Sequence, residues 1–129
     1  SRSLLHEGKR YPMAGVFPMD LEMCKRPQGH GYMELLVEGE NPLFEVGEVL
    51  RVHEFHYTRI IPHSDPDLDL AFRVKRGRGT LAGRDGVVYK NVVAGYANLH
   101  ALGTPKWAPA LVGRAACYRE LRTDKSRRK

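Results

Sequence analysis

The sequence predicts a strand-rich fold closed by a single C-terminal helix. Two observations carry that class. Up to Gly103, short runs rich in Val, Phe, Tyr and Leu alternate with turn signals, the mark of many short strands. After Gly103 the apolar spacing changes to that of a helix. With 129 residues the chain is long enough for one hydrophobic core.

In chain order, strands are predicted at Met13 to Phe17, Tyr32 to Glu38, Val49 to Ile61, Leu70 to Lys75 and Val87 to Val93. Breaks fall between them at Gly39 to Pro42, at "PHSDPD" (Pro62 to Asp67), at "RGRG" (Arg76 to Gly79) and at "GRDG" (Gly83 to Gly86). Within "AGRDGVVY", Asp85 and Gly86 are the residue pair that a tight primed hairpin turn requires. In "TPKWAPALVGRAACYRELR", Trp107, Ala108, Leu111, Val112, Ala115 and Tyr118 fall on one helical face. Thr104 suits the N-cap and Pro105 the first helical position, while Pro109 moves the start or bends the helix. This amphipathic helix closes a domain spanning 1–121, and residues 122–129 read as a basic, disordered tail.

Composition excludes several classes. No apolar run approaches the roughly 20 residues that span a bilayer, so a membrane is not expected as a partner and the cytoplasm is the expected compartment. Cys24 and Cys117 stand far apart with no CxxC spacing, which argues against a zinc site or a disulfide framework; both read as structural thiols in a reducing compartment. The formal charge of +6 is concentrated in "RTDKSRRK". No basic stripe with interleaved aromatics runs through the folded part, so nucleic acid is disfavoured as a partner. Glycine-rich phosphate loops and nucleophile elbows are absent from the sequence.

The chemistry-bearing stretch is "RVHEFHYTRII", residues 51 to 61. Side chains alternate along a strand, so Val52, Glu54, His56 and Thr58 share one face, and His53, Phe55, Tyr57 and Arg59 the other. The two histidines therefore point apart and cannot chelate one ion, and no metal is expected. Glu54 and His56 share a face about 7 Å apart along the strand. From there a carboxylate can orient an imidazole and fix its tautomer, or both can be satisfied polar groups lining a crevice.

The segments "YPMAGVFP", "KRPQGHGYMEL", "NPLF", "GEVLRVHEFHYTRI", "RGRGTLAGRDGVV" and "NVVAGYANLHALGTPKWAPALV" follow one another in an order that resembles the C-terminal part of the cobyrinic acid a,c-diamide synthase family. The resemblance runs from about Tyr11 to Val112, and the "HALGTPKWAPALV" ending is most similar to the siroheme amidase-like branch. It implies an α/β fold, part of a class I glutamine amidotransferase-like domain. It also implies chemistry in which a cysteine attacks the side-chain amide of glutamine. The ammonia released then amidates a carboxylate of a tetrapyrrole, activated by an ATP-dependent domain. Glutamine and a carboxylated tetrapyrrole are thus the implied ligands. ATP and Mg are the implied cofactors of full-length members, and none is expected in this chain.

Two departures from the family pattern qualify the carry-over. The nucleophilic cysteine of the family stands in an elbow upstream of the segment matching "YPMAGVFP", and Cys24 does not replace it. The chain is therefore expected to be a fragment that associates with the missing N-terminal part or with copies of itself. The family's Y-x-H-x-H pattern reads Tyr96-Ala97-Asn98-Leu99-His100 here, so Asn98 occupies the first histidine's place, and an amide cannot take a proton from a thiol at neutral pH. The resemblance implies catalytic positions at His100, Asn98 and Glu54, with Glu54 orienting a neighbouring histidine, and substrate contacts from His53, His56 and Tyr57. Lys25 and Arg26 are further candidate contacts for an anionic ligand. The alternative is a degenerate, non-catalytic module that binds a tetrapyrrole or a partner.

Overall fold

The computed structural model describes residues 1–61 and 68–127. It is strand-rich with one C-terminal helix, as the sequence predicts. The strands are β1 (Ser3–His6), β2 (Lys9–Pro12), β3 (Asp20–Met23), β4 (Gly29–Val37), β5 (Val49–His56), β6 (Thr58–Ile60), β7 (Asp69–Arg76), β8 (Arg84–Tyr89), β9 (Val92–Ala94) and β10 (Ala97–Asn98); the helix is α1 (Trp107–Arg127). They form a four-stranded sheet in the order β2-β1-β3-β6 and a six-stranded sheet in the order β10-β5-β4-β7-β8-β9. Among the described residues, every pairing but β1 with β3 is antiparallel.

The larger sheet explains where a site can form. β9 and β10 lie at its opposite edges yet are joined by only Gly95 and Tyr96, so the sheet must roll until those edges meet. The inner face fills with Met33, Leu35 and Val37 of β4, Leu50 and Val52 of β5, and Phe72 of β7, with Val93, Ala97 and Leu99 packed against them. Strict alternation of buried and exposed residues along β5 gives one packed and one open face. A second cluster around Phe17, Met19, Ile60 and Val87 joins the two sheets. The predicted strand at Val49 to Ile61 is thus two strands, interrupted at Tyr57, where the chain leaves one sheet for the other.

Other expectations need correction. Met13 to Phe17 is not a strand: Gly15 takes a positive φ of 70°, and the segment lies between two prolines that lack an N–H for a ladder. The predicted turn at Asp85-Gly86 lies inside β8, and the hairpin turn falls instead at Ala82-Gly83, where both residues have positive φ. The break at Pro62 to Asp67 lies outside the described residues.

The helix also differs. It begins at Trp107, so Pro109 sits in the first turn, where its missing N–H costs nothing. Thr104 does not cap it with its hydroxyl, which donates to the Arg51 carbonyl at 3.0 Å. Helical structure continues through Arg127, so 122–127 is not a disordered tail; the good helix formers Glu120, Leu121 and Arg122 meet no Gly or Pro that would stop them. Nor does the helix close the body. Leu111, Val112, Tyr118 and Leu121 are exposed, and Arg114 interrupts the apolar stripe, so the expected amphipathic face does not form. No helix among the described residues is long and apolar enough to cross a membrane.

Candidate functional site

The strand β5 presents a different chemistry on each face. On the packed face Glu54 is 2% exposed. Its Oε1 accepts the Arg78 N–H at 2.7 Å and its Oε2 the Gly79 N–H at 3.1 Å. A buried carboxylate needs such donors to replace its lost water. His56, also buried, donates from Nδ1 to the Thr58 carbonyl at 2.9 Å, which leaves Nε2 at 3.5 Å from Glu54 Oε2 with no hydrogen-bond partner of its own. Its ring stacks on Tyr96 with centroids 3.6 Å apart and planes 4° from parallel. The Tyr96 hydroxyl meets Thr58 Oγ1 at 2.5 Å. Burial holds the Tyr96 phenol above its usual range, with the Asp85 charge adding to the effect and the Thr58 hydrogen bond opposing it.

Close backbone approach builds this pair. A Cβ on Gly29 would overlap His56 Nε2 and Glu54 Oε2, and one on Gly77 would stand 2.8 Å from Glu54 Oε1. Gly29 and Gly77 are therefore spacers that let β4 and the turn after β7 close over Glu54 and His56.

On the open face lies a cavity of about 550 Å³ lined by Tyr32, Glu34, Arg51, His53, Arg76 and His100, with Met33, Val52 and Gly103 completing it. Arg51 and Arg76 make no ion pair among the described residues, whereas Arg2, Arg59, Arg73 and Arg84 are all paired. Glu34 sits in register between Arg51 on β5 and Arg76 on β7. The cavity thus offers two free guanidinium groups, one carboxylate and two imidazoles. That donor set suits a ligand carrying both an anionic and a cationic or amide group.

The predicted site residues divide between the faces. His53 and His100 meet in the cavity. Asn98 pairs with His53 in the ladder, and its amide donates to the His53 and Tyr96 carbonyls at 3.1 and 3.3 Å. His100 Nδ1 accepts the Leu102 N–H at 3.2 Å, so the neutral ring carries its proton on Nε2. Glu54 and His56 are on the other side of the sheet, so Glu54 orients neither Asn98 nor His100; its imidazole neighbour is His56 of its own strand. Tyr57 lines no part of this cavity, and its ring edge packs on Phe55 at 5.6 Å. Cys24 borders a separate crevice with Lys25 and Arg59, and Cys117 is exposed on α1, so neither thiol lines the cavity.

Sequence reasoning missed Arg51, Arg76, Tyr32 and Asp85. Arg51 was within reach, since alternation places it on the face of His53. Asp85 is 0% exposed, and its carboxylate accepts the N–H groups of Gly86, Tyr96 and Ala97 and the Thr80 hydroxyl. A Cβ on Gly95 would overlap it.

A family model described as the CobB/CobQ-like glutamine amidotransferase domain matches residues 2–106. The chain is 38% identical over 111 residues to a cobyrinate a,c-diamide synthase of Magnetococcus marinus, covering 86% of this chain and 24% of that protein. It is 40% identical over 96 residues to one of Methanothermobacter thermautotrophicus, covering 74% and 21%. With one of Saccharolobus solfataricus it shares 36% identity over 101 residues, covering 78% and 23%. The chain thus spans about a quarter or less of the length of these relatives. No solved structure gives a significant match.

Proposed function

The chain belongs to the CobB/CobQ-like glutamine amidotransferase domain family, and we propose that it forms one wall of the glutamine site in an enzyme that amidates a carboxylated tetrapyrrole, of the cobyrinate a,c-diamide synthase or siroheme amidase kind. The observation that carries this reading is the cavity on the open face of β5. Glutamine is a zwitterion with a terminal amide. Arg51 and Arg76 match its carboxylate, Glu34 its ammonium, and His53 and His100 lie beside them.

No cysteine lines the cavity, so the thiolate that attacks the amide carbon comes from outside the described residues. Attack forms a thioester and releases ammonia, and water then frees glutamate. The nucleophile-bearing partner would cover the exposed aromatic face of β4 and β5, where His30, Tyr32, His53 and Phe55 form edge-on ring contacts and Tyr32 is 78% exposed. ATP and Mg would act in the synthetase part that activates the tetrapyrrole carboxylate. The compartment that fits is the cytoplasm, where the two unpaired thiols stay reduced.

A second reading, a binding module without glutaminase chemistry, is favoured by two details. The Asn98 amide is committed to backbone carbonyls, and His100 presents Nε2–H, a donor rather than a base. The test is ammonia release from glutamine by this chain alone, and after mixing with the nucleophile-bearing remainder of the Magnetococcus marinus relative. Release only in the mixture, raised by Asn98→His, supports the first reading. No release from the mixture with either residue at position 98, together with binding of a carboxylated tetrapyrrole by the chain, establishes the second.

A further inference from the structure

Among the described residues, Glu54 and Asp85 are the two buried carboxylates. They lie on different strands, β5 and β8, and the contacts between them form a ring. Glu54 accepts the N–H groups of Arg78 and Gly79. The next residue, Thr80, donates its hydroxyl to Asp85 Oδ1. Asp85 in turn accepts the Tyr96 N–H at 3.2 Å on Oδ1 and the Ala97 N–H at 3.1 Å on Oδ2. The Tyr96 ring stacks on His56, whose Nε2 stands 3.5 Å from Glu54 Oε2, so the last link is a packing contact and not a hydrogen bond.

We propose that this ring of two carboxylates is the positioning device of the cavity: Glu54 and Asp85 fix the separation of Arg76 from His100. Each wall group is a short covalent step from a ring contact. Arg76 precedes the turn residues that bond Glu54, and His100 lies two residues beyond β10, whose Ala97 Asp85 holds. Neither carboxylate lines the cavity, so both act on it through the residues they hold.

The ring also accounts for two glycines that backbone conformation leaves unexplained. Side chains at Gly29 and Gly95 would intrude on Glu54, His56 or Asp85, as would one at Gly77, where a positive φ of 113° favours glycine in any case. Hydrogen bonds to ionised acceptors are the stronger kind, and five donors converge on the two carboxylates from segments 78–80 and 96–97. A network closed in this way transmits a local change around its circumference, whereas two independent anchors do not.

The test is nuclear magnetic resonance of the full 129-residue chain, reading backbone amides and histidine ring nitrogens in Asp85→Asn, Glu54→Gln and Thr80→Val. With the ring intact as a unit, Asp85→Asn moves the amides of 77–79 as well as those of 95–100, and Glu54→Gln moves the His100 ring. Thr80→Val, which keeps both carboxylates, uncouples the two sides. Amide exchange at Ala97 speeds up about tenfold or more in Asp85→Asn, as the loss of one buried hydrogen bond implies. Changes confined to each variant's own neighbours, even with a lowered Tm, would overturn the proposal. If Asp85→Asn does not fold, the other two variants decide the matter. The inference rests on the cavity being the functional site. Its readouts report position whether or not glutamine is hydrolysed, so its failure is distinct from the failure of that reading.

Discussion

The two faces of β5 draw alternate residues from a single strand and reach opposite ends. On one face, Glu54 and His56 are sealed under glycines and tied to backbone donors from remote segments. On the other, His53 and Phe55 remain open beside unpaired arginines, and Phe55 is 54% exposed. The motif His53-Glu54-Phe55-His56 is therefore two devices in one stretch of chain. Its inner half sets backbone geometry and its outer half meets ligand or partner. Residue type does not separate them, because each face holds a histidine; the number of converging donors does.

The comparison predicts that stability lives on the inner face. Glu54→Ala strands the buried N–H of Gly79 and the part-buried N–H of Arg78, at a cost of up to about 1–3 kcal/mol each. A fall of up to about 2–6 kcal/mol in unfolding free energy is expected by urea titration. A loss under 1 kcal/mol would show that water replaces the carboxylate and that the inner face is less sealed than its burial indicates. Gly29→Ala comes next. Its Cβ drives into the Glu54–His56 pair, and overpacking of this kind costs about 1–3 kcal/mol. Unchanged stability there would mean that β4 can shift away from β5 without loss, contrary to its central place in the sheet.

Much of this division is legible in the sequence. Alternation alone places Glu54 and His56 together and His53 apart from them, and the burial of β5 follows that pattern residue by residue. Periodicity also finds β4, β7 and the helix. What it cannot supply is the identity of partners distant in sequence. Asp85 precedes a glycine and so carries a strong local turn signal, but donors from Thr80, Tyr96 and Ala97 make it the buried hub of a strand. Glu54 reads as a group that orients a histidine on a neighbouring strand, whereas its donors come from a turn more than twenty residues on. The helix fails for the opposite reason. Its apolar spacing is real, yet spacing says nothing of a surface to receive it, and Arg114 lies within the stripe.

Phe55→Ala tests the outer face. Replacing a half-exposed ring there leaves stability within about 0.5 kcal/mol, as for most surface positions, while weakening association with a nucleophile-bearing partner. A large stability loss would place Phe55 in the core's service and dissolve the contrast between the faces.

The smallest expected effect comes from a carboxylate outside both faces, which sharpens what burial adds. Asp20 on β3 accepts the Ser3 hydroxyl at 2.7 Å, and this bond is the main cause that holds its carboxyl below the usual range; Arg2 and Arg10 add to it, and desolvation opposes. A group with a lowered pKa in the folded state stabilises above its unfolded pKa of about 3.9 and loses that contribution as pH falls through the folded value. Asp20→Asn should therefore lower the urea midpoint slightly at neutral pH, and the gap to the parent chain should close below about pH 4. Glu54→Gln has one buried and one part-buried donor at stake, so its gap should be wider at neutral pH than that of Asp20→Asn. Urea midpoints for both variants across the acid range read the two together. A gap for Asp20→Asn that persists unchanged into acid would mean that the side chain holds β1 to β3 by hydrogen-bond geometry, not by charge.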